Sequence, residues 1–176
     1  GLDLDKINNE FDMIIERFSK PRSIGKITPN LIPTQNPVLK EIINKIDPIA
    51  KNIIKSWGMD NPVILQNSWI NVDYAGAFGD PHVHVSSVLT AVFYTNAPEN
   101  SAPIRMIRPD NLSHHYRPTH PNEYSGLSYD IYVEPNTLVL FPAFMEHMMY
   151  RNNIRENEKR VCISFDWGLD YYRRQE

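Results

Sequence analysis

The stretch Asp80-Pro81-His82-Val83-His84-Val85-Ser86-Ser87-Val88-Leu89-Thr90-Ala91-Val92-Phe93-Tyr94 decides how the rest of the chain is read. Its second half, 87–94, is a short run of β-branched and aromatic residues, the composition of a pleated strand rather than a helix surface. Gly79 and Pro81 mark the start of an extended segment ahead of it. In an extended chain, residues i and i+2 point to one face, so His82 and His84 can share a single cation. Two neutral imidazoles suit Fe, Zn, Cu or Ni, and geometry rather than affinity chooses among them.

Working outward, the same texture recurs after Gly58. Strands are expected at 63–72, 87–94, 104–108, 128–133, 137–141 and 161–167, several with period-two alternation and each bounded by Asn, Pro, Gly or Asp. The first third differs. Leu4, Ile7, Phe11, Ile14, Ile15 and Phe18 recur three or four apart and predict an amphipathic helix that Lys20-Pro21 ends. Residues 21–36, rich in Pro, Ser, Thr and Asn, read as an irregular connector. Val38, Ile42, Ile43, Ile46, Ile49, Ile53 and Ile54 predict a second helix, kinked or split at Pro48. Short strands after a helical preface indicate an antiparallel barrel or sandwich with helices buttressing one face. We expect one domain over 1–176, with 1–58 a helical buttress and 59–167 the β core. The polar stretch 109–127 reads as a long loop and substrate lid. Its His114, His115 and His120 fit a lid better than a second metal site.

Whole-chain properties set bounds. A length of 176 residues suits one domain with a sizeable core, and a second full domain would be cramped. The formal net charge is −3, without blocks of like charge, so a nucleic-acid partner is not expected. No stretch approaches the roughly 18 apolar residues of a membrane span, and no signal peptide opens the chain. It begins at Gly1 rather than Met, as a processed or shortened polypeptide does, with room for an upstream strand. The single cysteine, Cys162, precludes an internal disulfide and a cysteine-rich zinc site, in keeping with a reducing, cytoplasmic setting.

A pair of histidines needs a third ligand to hold a metal in an open site. His147 is the best placed, following an apolar strand and the turn Phe141-Pro142-Ala143-Phe144. Taken alone, His-x-His is as readily two packed or surface histidines. A third in the right place strengthens the metal reading, since the chain has only six. Arg160 heads the last strand. Pointing into an apolar barrel it would need an anion, and guanidinium is the group that grips a carboxylate bidentately. At the strand edge it would simply reach solvent, as Glu158 and Lys159 do.

In this order the pieces resemble the 2-oxoglutarate- and Fe(II)-dependent oxygenases. Asn67-Ser68-Trp69-Ile70-Asn71, His82-Val83-His84, Leu89-Thr90-Ala91-Val92-Phe93-Tyr94, Leu140-Phe141-Pro142 before His147, and Arg160-Val161-Cys162-Ile163-Ser164-Phe165 look like a bacterial and phage branch of that superfamily. The similarity spans about residues 36–167. It implies a mainly β, double-stranded β-helix (a jelly-roll, cupin-like barrel) with N-terminal supporting α-helices. It implies Fe(II) at His82, His84 and His147, with 2-oxoglutarate as co-substrate and its distal carboxylate on Arg160, and O2 as oxidant. Tyr94 is then read as a donor to the co-substrate or as core, Asn71 as facing the pocket, Trp69 as core, and Glu146 as a solvated neighbour. Two departures stand out. The wider superfamily carries an acid where His84 stands, and Asp80 is an alternative ligand on the same face. Many relatives carry Ser two positions after the Arg, where this chain has Cys162; Ser164 can serve instead.

The resulting expectation is a dioxygenase hydroxylating a peptide or small-molecule C–H bond, with release of succinate and CO2. The alternatives are a three-histidine dioxygenase that uses no 2-oxoglutarate, and a non-catalytic jelly-roll binding module. Structural zinc sites are closed by four ligands, and only three well-ordered ones are offered here, which favours a catalytic site. The lid residues Tyr116, Arg117 and Tyr124 suit many substrates. Tyr171 and Tyr172 are candidate contacts of a homo-oligomer.

Overall fold

The computed structural model describes residues 2–109, 119–120, 122 and 126–170. The expectations placed on His114, His115, Tyr116, Arg117, Tyr124, Tyr171 and Tyr172 lie outside these residues. His120 lies within them, exposed and apart from the histidine cluster described below.

Helix α1 (Leu4–Phe18) starts where the Asp3 carboxylate accepts from the Lys6 amide, and it buries Ile7, Phe11, Ile14 and Ile15. Helix α2 (Pro37–Ser56) is capped by Asn36, which accepts from the amides of Val38 and Leu39, with Pro37 at its first position. The expected split at Pro48 does not occur: the helix is continuous through it.

The strands are β1 (Lys20–Pro21), β2 (Gly25–Ile27), β3 (Val63–Asp73), β4 (Gly79–His82), β5 (Leu89–Asn96), β6 (Ile104–Ile107), β7 (Ser128–Ile131), β8 (Thr137–Pro142), β9 (His147–Met149) and β10 (Arg160–Leu169). They form a six-stranded sheet ordered β1-β2-β3-β10-β5-β8 and a four-stranded sheet ordered β4-β9-β6-β7. Every pairing is antiparallel. The stretch 21–36, read from sequence as irregular, therefore contains β2 and the second residue of β1. Composition could not show them, because β2 is held to β3 through backbone bonds and Thr28 and Leu31 continue along β3 by their amides. A Cβ on Gly25 would lie 2.3 Å from the Val72 carbonyl oxygen, so only glycine permits so close a strand.

Alternation along β3, β5 and β10 sorts the large sheet into two faces. On one face Ile70, Val72, Leu89, Ala91, Phe93, Val161, Ile163, Phe165 and Trp167 pack with the buried residues of α1 and α2. Trp167 Nε1 also donates to Asp47 of α2 at 2.9 Å. On the other face Val92, Tyr94, Val139, Phe141 and Cys162 pack with Ile104, Met106 and Ile131 of the small sheet. Burial on both sides explains why the central strands read as near-continuous apolar runs. The inner face also carries the polar exceptions Asn71, Asp73, Thr90, Arg160, Ser164 and Asp166, all buried. Such a cluster of buried polar groups needs a reason. Among the described residues no helix is long and apolar enough to cross a membrane.

Candidate active site

His82 and His147 are cross-strand partners in the β4–β9 ladder, with ring centroids 4.3 Å apart. His84 lies beyond the end of β4 rather than on it. Its amide donates to the Ala143 carbonyl at 2.9 Å, which ties the loop to the turn between β8 and β9 and brings the third ring to the other two. One nitrogen from each imidazole falls within 4.8 Å of the others. Asp80, the alternative ligand, is not in this cluster; its part is a backbone carbonyl, 2.8 Å from His82 Nδ1.

The hydrogen bonds behind the rings decide what the cluster can hold. His82 Nδ1 faces the Asp80 carbonyl, and His147 Nδ1 faces the Met145 carbonyl at 3.0 Å. A carbonyl only accepts, so each Nδ1 carries the proton and each Nε2 a lone pair. His84 Nδ1 faces the Asp166 carboxylate with the same consequence. His84 Nε2 and His147 Nε2 then point at each other across 3.3 Å, an arrangement of lone pairs that a shared cation makes favourable. Burial, opposed by the Met145 carbonyl and aided by the neighbouring imidazoles, lowers the His147 pKa to about 4, keeping it a neutral ligand. These residues fit a divalent metal with open positions left for chemistry.

The pocket beside the triad is lined by Arg22, Trp69, Asn71, Asp73, Tyr94, Arg160, Cys162 and Ser164, with apolar walls that include Phe78, Val92, Ile104 and Met149. Arg160 is buried, not at an edge. Its Nη1 donates to Asp73 Oδ2 at 2.7 Å and its Nη2 to the Tyr94 hydroxyl at 3.1 Å. Its Nε is buried without a partner, an orphan donor within a residue that lines the pocket. Tyr94, whose pKa burial raises, accepts from Arg160 and keeps its own proton to donate. Asn71 accepts from Arg22 Nη1 at 3.0 Å and donates to Ser164 Oγ at 3.3 Å, so the Ser164 hydroxyl proton is free for a ligand. Two guanidinium groups against one carboxylate leave this end of the pocket net positive. A dicarboxylate with one end on the metal and the other here fits that charge.

Trp69, expected as core, instead stacks on His84 with centroids 5.7 Å apart. Glu146 is partly exposed and does not line the pocket. The residues that sequence reasoning missed are Arg22, Asp73, Thr90 and Asp166. The pairing of Asp73 opposite Arg160 is a cross-strand register that no local motif reveals.

A family model described as "Putative 2OG-Fe(II) oxygenase" matches residues 67–166. Comparison with curated proteins returns no match. Among solved structures, the non-heme alpha ketoglutarate dependent epimerase SnoN from nogalamycin biosynthesis is 12% identical with a TM-score of 0.72, over 94% of this chain and 73% of that one. A Pseudomonas putida prolyl-4-hydroxylase is 15% identical with a TM-score of 0.67, over 94% and 85%. HygX from Streptomyces hygroscopicus, solved with nickel and 2-oxoglutarate bound, is 12% identical with a TM-score of 0.64, over 96% and 78%. At such identity the likeness establishes the fold, a double-stranded β-helix with helices on one face. The family match covers more than half of the chain, and it includes all three histidines, Tyr94 and Arg160. The chain belongs to the 2OG-Fe(II) oxygenase family, enzymes that use Fe(II), 2-oxoglutarate and O2.

Proposed function

We propose that this oxygenase hydroxylates a C–H bond of a peptide or small molecule, with the iron on His82, His84 and His147 and the distal carboxylate of 2-oxoglutarate on Arg160. The observation that carries the reading is the convergence of three Nε2 atoms, each turned inward by an acceptor behind its ring. Iron and co-substrate, when bound, supply the oxidation, in which one atom of O2 enters succinate and the other the substrate as CO2 leaves.

The chain's own residues do the positioning. Arg160 has five N–H groups, of which Asp73 and Tyr94 engage two, leaving the orphan Nε–H and others for a carboxylate. The Tyr94 and Ser164 hydroxyls and Arg22 complete a polar end that fixes the co-substrate's direction. Val92, Ile104 and Met149 keep water from the pocket's flank. Around the metal side the exposed surface includes the apolar Phe78, Val83, Val85 and Phe144, Val85 exposed by 85%, beside the polar Asp80 and Ser86. A substrate presenting an apolar portion beside its reacting carbon suits that rim.

The test is conversion of 2-oxoglutarate to succinate with and without Fe(II), against pools of peptides and metabolites. Arg160→Lys keeps the charge opposite Asp73 and loses the fork. It is expected to raise the KM for 2-oxoglutarate about tenfold or more, the worth of roughly one charge-assisted hydrogen bond. An unchanged KM, or turnover indifferent to 2-oxoglutarate, would sink the assignment and favour a three-histidine dioxygenase without the co-substrate.

A further inference from the structure

Two features of the inner face are incomplete separately. The histidine cluster offers a cation three neutral imidazoles, with no carboxylate among its ligands to offset the charge. With His147 buried and His84 half-buried, a cation here is drawn partly out of water and gains from a nearby counter-charge. The second feature is Asp166, a buried carboxylate on β10, exposed by only 5%. It contacts the side chain of His84, whose Nδ1 lies 2.9 Å from Oδ1 and 3.0 Å from Oδ2. Thr90 Oγ1 donates to Oδ1 at 2.8 Å and holds the carboxylate in place. Neither hydroxyl nor neutral imidazole balances a buried negative charge. By contrast the other carboxylate on this face, Asp73, has Arg160.

A buried anion without a full cation thus stands one imidazole away from a cation site to which the chain itself gives no anionic ligand. We propose that Asp166 is the anionic member of the metal centre, acting through His84 as a positioning residue. In this line the carboxylate accepts from Nδ1–H, fixes the ring so that Nε2 faces the metal, and makes that nitrogen more basic. Trp69, stacked on the far side of the ring, holds its plane. The loop that carries His84 leaves β4 before reaching it, so the ring depends on these contacts more than the strand-borne His82 and His147 do. The inference rests on the triad being the metal site and adds which outer group sets its strength.

Co(II), which needs neither reductant nor oxygen, is the probe. Its Kd is measured by titration of metal-free wild type, Asp166→Asn, Asp73→Asn and His82→Ala. Asp166→Asn keeps an acceptor for Nδ1–H and removes the charge; it is expected to weaken Co(II) binding about 10- to 100-fold, as loss of such outer partners does. Asp73→Asn removes an equally buried carboxylate from the same pocket and is expected to change the Kd by less than about threefold, since Asp73 touches no ligand. Equal Kd values for Asp166→Asn and wild type overturn the proposal, and so do equal losses in the two Asp variants. A measurement on wild type needs no substitution: in Zn(II)-loaded protein the His84 Nδ1 proton should resonate downfield of those of His82 and His147, which face carbonyls. If Asp166→Asn does not fold by circular dichroism, this resonance decides, and the lack of a downfield difference overturns the proposal. Wild type that binds no Co(II), or His82→Ala that binds it equally well, defeats the triad reading itself. Failure at Asp166 alone leaves that reading standing.

Discussion

Cys162 stands two residues after Arg160 and opposite Asn71, where its thiol lines the pocket. Burial pushes its pKa from 9.0 up to about 11, despite the nearby Arg160 charge. It is therefore a neutral pocket wall rather than a nucleophile. Iodoacetamide at pH 8 is expected to leave the folded protein unmodified and to alkylate Cys162 only in denaturant; fast labelling of native protein, read by mass spectrometry, would contradict this. The linkage runs the same way. A thiol whose folded pKa is raised stabilises the fold fully below pH 9, and that contribution is lost as pH rises through 11. At this scale the sequence showed the candidate ligand and anchor residues more clearly than the groups that stand behind them. His82, His84, His147 and Arg160 could be read because their types and order are unusual. Asp166 and Thr90 could not, because an Asp or Thr in a strand is unremarkable until its register places it behind His84.

Among elements, the hairpin of β1 and β2 has the most to answer for. It carries Arg22 into the pocket from a region with no apolar pattern, and Gly25 lets it lie against β3. Gly25→Ala is expected to push β2 off the Val72 carbonyl and withdraw Arg22, raising the KM for 2-oxoglutarate about tenfold or more, in line with the loss of one charged hydrogen bond. A KM equal to that of wild type would place Arg22 outside co-substrate binding. The long strands β3, β5 and β10 and both helices were legible, since burial imposes a period or an unbroken apolar run on them. The two- and three-residue strands β1, β2 and β9 are too short to show a period. β2 and β9 exist through pairing with strands distant in sequence, and β1 through its hairpin with β2.

At the scale of the molecule, the histidine cluster joins the two sheets. His82 and His147 belong to the small sheet, whereas His84 reaches Asp166 on the large one. Metal binding should therefore stabilise the whole fold. At a hundredfold excess over its Kd, Co(II) is expected to add about 2.7 kcal/mol, or roughly 5–10 °C in Tm, reversed by EDTA and absent in His82→Ala. An unmoved Tm would mean that these histidines do not form one site in solution. Strand β10 has a further consequence. Its residues 161, 163, 165 and 167 face the helices, while 160, 162, 164 and 166 face the chemistry. Substitutions at one parity therefore act on the pocket and its polar network, and substitutions at the other act on the packing that specifies the fold. An insertion or deletion of one residue would exchange the two sets and forfeit both, so this strand is free to diverge by substitution but not by length.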